Sequence, residues 1–80
     1  MVHDFTLVYA LDSGVGSQED VLRQLANSDC ADATVGWGRP GHVGLAFSRE
    51  ASDRDAAVKL ATVQMAQALP GAVLVRVAAA

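Results

Sequence analysis

Eighty residues carry nine acids and six bases, a net charge of −3, with 51% hydrophobic and 19% charged side chains. That length fits a single domain over residues 1–80, either complete or the N-terminal part of a longer chain, and the composition is too apolar for a disordered tail. A domain this small buries roughly 60% of its unfolded surface, so its stability margin is thin and pairing with a second copy adds to it. A single cysteine excludes an internal disulfide, and the acidic balance excludes a domain held to nucleic acid by phosphate neutralisation. No run reaches the roughly 18 apolar residues of a membrane helix, and the start lacks a basic leader, so the expected location is cytoplasmic, with no membrane partner.

Residues 5–11 alternate in size, with Phe5, Leu7, Tyr9 and Leu11 on one side, and read as a strand. Residues 12–16 form a turn, and Ser17 with Asp20 three positions on is an acidic capping box that opens a helix. Val21, Leu22, Leu25 and Ala26 make its apolar stripe, and the helix is expected to stop near Ser28 or Asp29. Residues 33–37 read as a second strand, entering a Gly38-Arg39-Pro40-Gly41 hairpin in which proline and glycine suit the two central positions of a type II turn. Val43, Leu45 and Phe47 alternate in the returning strand, which ends at Arg49-Glu50. Ser52 with Asp55 signals a second cap, followed by a helix whose Val58, Ala61, Met65, Ala68 and Leu69 recur at helical steps until Pro70-Gly71. Residues 72–77 are the last strand.

The order βαββαβ with a tight central hairpin is that of the ferredoxin-like split βαβ arrangement, an α+β fold. Right-handed crossovers predict an antiparallel four-stranded sheet in the order 4-1-3-2 with both helices on one face. Phe5, Leu7, Tyr9, Leu11, Val43, Leu45, Phe47, Val73, Val75 and Val77 are then expected to face the helices. The opposite face shows Thr6, Val8, Ala10, Gly44, Ala46, Leu74 and Arg76. Thr6, Val8, Ala10, Gly44 and Ala46 are small or apolar where a face meeting only water would carry Lys, Glu or Gln, which points to an interface with a second copy or a downstream domain.

The first loop and the hairpin lie at one end of this sheet. Gly14, Gly16 and Ser17 stand at the N-terminus of the first helix, where free N–H groups favour an anion, and Arg39 and His42 can lean in from the hairpin. The alternative is that the glycines only make a tight turn and Arg39 is solvated. His3 and His42 begin antiparallel strands and are expected about 20 Å apart, too far to share a metal. Cys30 has no partner at zinc-ligand spacing and reads as a small buried thiol, so no metal and no cofactor are implied. It belongs at the end of the sheet away from His42, which also removes a Cys–His nucleophile. Asp53 and Asp55 fall in a first helical turn, where acids complement the dipole. Trp37 is either an anchor at the sheet edge or a core residue. No catalytic residue emerges, and the chain is expected not to be an enzyme.

The stretch from Cys30 through Gly36-Trp37-Gly38-Arg39-Pro40-Gly41-His42 to Ala51, followed by an alanine-rich helix and Leu74-Val75-Arg76-Val77, resembles a group of small bacterial proteins that look like DNA-binding regulators. In these, such an α/β segment precedes a helix-turn-helix. The resemblance implies an accessory, dimerisation or regulatory role with no direct nucleic-acid contact by residues 1–80, since the helix-turn-helix would begin only after Ala80. The same βαββαβ order and a glycine-bearing first loop are similar to ACT-type modules that bind small molecules, although residues 12–16 lack the proline usual there. Acylphosphatases share the topology, but the arginine-bearing loop that would cradle phosphate is absent between Leu11 and Ser17.

Overall fold

Alternation in the two long central strands decides the layering of this protein. A computed structural model describes residues 1–11 and 17–79. The elements are β1 (Val2–Leu11), α1 (Gln18–Ala26), β2 (Thr34–Gly36), β3 (His42–Glu50), α2 (Arg54–Ala68) and β4 (Ala72–Ala79). They build one antiparallel sheet in the order β2-β3-β1-β4, which is the predicted order read from the other edge. Phe5, Leu7, Tyr9, Val43, Leu45 and Phe47 form one buried cluster with Val21 and Leu25 of α1 and Ala57, Ala61 and Met65 of α2. Both helices therefore lie on the same face, and the fold is ferredoxin-like.

The caps explain where the helices start. Ser17 accepts the Asp20 N–H while Asp20 accepts the Ser17 N–H, each at 3.2 Å, so the capping box forms as predicted. For α2 the cap is Asp53, one residue beyond the predicted Ser52, and its carboxylate accepts the Ala56 N–H at 2.7 Å. An ionised acceptor binds that N–H more strongly than a hydroxyl does, which moves the boundary. At its other end α1 stops at Ala26, earlier than predicted. There the Ser28 hydroxyl donates to the Leu25 carbonyl at 2.8 Å and accepts the Cys30 N–H at 3.0 Å, turning the chain toward β2.

The last strand departs from expectation. Val73, Val75 and Val77 are not core: they are 65%, 52% and 39% exposed. β4 pairs Val77 with Leu7 and Arg76 with Val8, but then Leu74 with Tyr9, so an extra residue, Val75, bulges from the ladder. The bulge reverses the alternation, putting Leu74 on the helix side and Val73 on the open side. Because β4 is an edge, even its helix-facing residues stay partly in water. Leu11 is half-buried against the core, and Met65 and Leu69 are buried within it.

Candidate functional site

The hairpin end of the open face is shaped by one turn. Arg39 C=O accepts the His42 N–H at 3.0 Å across Pro40 and Gly41, and Gly41 has φ 75°, the geometry of a type II turn. The Gly41 carbonyl accepts the Leu11 N–H at 2.7 Å, which fastens the hairpin to the end of β1. His42 Nδ1 lies 3.2 Å from the Pro40 carbonyl oxygen; a carbonyl only accepts, so Nδ1 carries the hydrogen and the ring is held in place. Beside this turn is a depression of about 350 Å³, bordered by Arg39, His42 and Arg76. Its floor follows from the register: Gly36 lies opposite Gly44, Gly44 opposite Val8, and Val8 opposite Arg76, a row crossing all four strands.

The structure places Arg39 and His42 together with Arg76 at this open-face depression, and Ser17 is not among the residues that line it. Ser17 is engaged in capping α1, and the Asp20 carboxylate already sits on the helix end. Hydrogen bonds from Ser17, then the Arg23 guanidinium, hold that carboxyl below its usual range. Gly14 and Gly16 lie outside the described residues. Thr6, Val8, Ala10, Gly44 and Ala46 occupy the open face and are half-buried, so the larger exposed apolar surface belongs to β4. The depression had no signal in the sequence, because it depends on two glycines meeting across β2 and β3.

A second cluster lies at the other end. Arg49 follows Phe47 on the helix side of β3, and its side chain is only 15% exposed. Its Nε and Nη2 donate to the two Asp32 carboxylate oxygens at 2.7 and 2.9 Å, Nη1 donates to Gln64 Oε1 at 2.7 Å, and Nη2 also reaches the Asp29 carbonyl at 3.1 Å. Its guanidinium carbon stands 4.7 Å over the Phe47 ring. The bidentate bond holds the Asp32 carboxyl below its ordinary range. Burial pushes the Cys30 thiol up although Arg49 pulls it down, and burial lifts the Tyr9 hydroxyl to about 12. A raised thiol pKa leaves little thiolate, so Cys30 is poorly suited to nucleophilic work.

His3 pairs with Arg49 and His42 with Ala10, seven positions apart along β1, or about 24 Å. His3 Nε2 is buried without a hydrogen-bond partner among the described residues. Those residues also contain no group of three or more His, Cys, Asp or Glu placed to hold a metal ion. None of their helices is long and apolar enough to cross a membrane. Trp37 is partly buried against the core, the second of its two predicted roles. No family model, curated protein or solved structure matches the chain.

Proposed function

We propose that this chain is a non-catalytic accessory domain of a bacterial DNA-binding regulator, and that it pairs with a second copy through the β4 edge. The observation that carries pairing is the chemistry of β4. Val73, Leu74, Val75 and Val77 are 39–65% exposed on an eight-residue edge, and Arg76 is that strand's one charge. Edges left to water are usually short or charged, and the opposite edge, β2, has only three residues.

The strand is also self-complementary. A two-fold axis between Val75 and Arg76 sets Leu74 against Val77 of the second copy on the helix side, and Val73 against its Ala78 on the open side. The phase reversal at one bulge is matched by the other. A non-catalytic role is supported by the reactive side chains: Arg49 and Asp32 tie elements together, Cys30 is buried, and the two histidines stand at opposite ends. The regulator context rests on the resemblance carried by the hairpin and β4 residues.

Sedimentation equilibrium tests the reading on three chains: wild type, Val75→Glu at the edge, and Ala46→Glu at the centre of the open face. Wild type is expected as a dimer, and Val75→Glu as a monomer with an unchanged circular-dichroism spectrum. A wild-type chain that stays monomeric to its solubility limit overturns pairing. Dissociation by Ala46→Glu alone moves the interface off the edge and onto the open face.

A further inference from the structure

We infer that the depression at the hairpin end of the open face binds a small organic anion, a carboxylate on a compact apolar body. The inference does not depend on pairing with a second copy. Charge is the first argument. Of the six basic side chains, Arg23 and Arg49 are committed to Asp20 and Asp32, which leaves four. Two of those four, Arg39 and Arg76, border this one depression, and no acid is among the described residues that line it. On a chain of net charge −3, two arginines at one depression with no acid among its described lining residues favour an anion.

The floor is the second argument. Gly36 and Gly44 face each other between Thr34 and Ala46 on one side and the hairpin on the other. Neither needs to be glycine for backbone reasons, because among the described residues positive φ occurs only at Gly41. Neither is forced by packing: a Cβ at Gly36 meets nothing within 4 Å, and one at Gly44 meets its neighbours at an ordinary 3.8 Å. Glycine weakens a strand, so two side by side where the fold tolerates larger residues keep the space above them open. Val8 and Val75 give the space apolar walls, which suits a ligand with an apolar body over a bare oxyanion. Its volume of about 350 Å³ is at the small end of ligand sites, which run from ~300 to ~1,000 Å³, so the ligand is smaller than a nucleotide.

The test is a titration of the full ¹⁵N-labelled chain with benzoate as probe, with inorganic phosphate in parallel, followed by amide chemical shifts. Benzoate is expected to shift Gly36, Gly44, Val8 and Arg76 saturably, and phosphate to shift them far less. Arg76→Gln and Arg39→Gln are each expected to weaken benzoate about tenfold, the usual scale for losing a charged hydrogen-bond partner. Gly36→Val adds a side chain whose Cβ meets nothing within 4 Å, and it is expected to abolish saturation while leaving the spectrum dispersed. The inference is overturned if benzoate shifts map elsewhere or never saturate, if phosphate binds as well as benzoate, or if Gly36→Val binds like the parent.

Discussion

Two single residues make claims that a melt or a titration can check. Gly41 sits at φ 75° in the turn that closes the hairpin. A β-branched side chain there is forced into a left-handed conformation costing roughly 1–2 kcal/mol, so Gly41→Val is expected to lower stability by at least that much in urea unfolding. A midpoint unchanged from the parent would show that the turn relaxes freely. Tyr9 is the chain's one tyrosine, and burial raises its pKa from 10.0 to about 12. The folded pKa lies above the unfolded one, so this contribution to stability is complete below pH 10 and is lost as pH rises toward 12. Absorbance at the tyrosinate band is expected to titrate near the upper value or at unfolding, whichever comes first. Tyr9→Phe is expected to flatten the alkaline limb, and ionisation near pH 10 in the folded chain would contradict the burial.

Between elements, Arg49 is the main polar tie, joining the end of β3 to the loop after α1 through Asp32 and to α2 through Gln64. Arg49→Met keeps an unbranched stem beside Phe47 but loses all of these bonds, and is expected to cost about 1–2 kcal/mol. Asp32 has a depressed folded pKa, so its contribution is present above the ordinary carboxylate range and lost as pH falls through the folded value. The stability gap between wild type and Asp32→Asn is thus expected to close on acidification below about pH 4. An equal gap at neutral and acidic pH would show that the pair contributes through packing alone. This tie was illegible in the sequence, where Arg49 and Asp32 stand seventeen residues apart and either one reads as a solvated charge. Local signals fared better: alternation located β1 and β3, and Ser17 with Asp20 located α1. The facing of β4 was lost because a bulge comes from pairing with β1, and nothing within residues 72–77 announces it. Depressions formed by register, such as that at Gly36 and Gly44, are hidden for the same reason.

For the whole molecule, charge and surface argue against DNA contact by this chain. Nine acids oppose six bases, and two of the bases, Arg23 and Arg49, are bonded to Asp20 and Asp32. Glu19 and Asp20 occupy the first turn of α1, while Asp53 caps α2 and Asp55 lies in its first turn, so the helix ends that would otherwise bind phosphate present carboxylates. The remaining cations are divided, with Arg54 and Lys59 on α2 and Arg39 and Arg76 at the open face. Neither pair is large enough to release the several counterions that tight binding to a duplex requires. In fluorescence anisotropy at physiological salt, the 80-residue chain is expected to leave labelled duplexes of differing sequence unbound. At low salt any weak signal should be equal for all of them and vanish as salt is raised. Tight, sequence-dependent binding by this chain alone would overturn the assignment of an accessory role and place the DNA-reading surface within these residues.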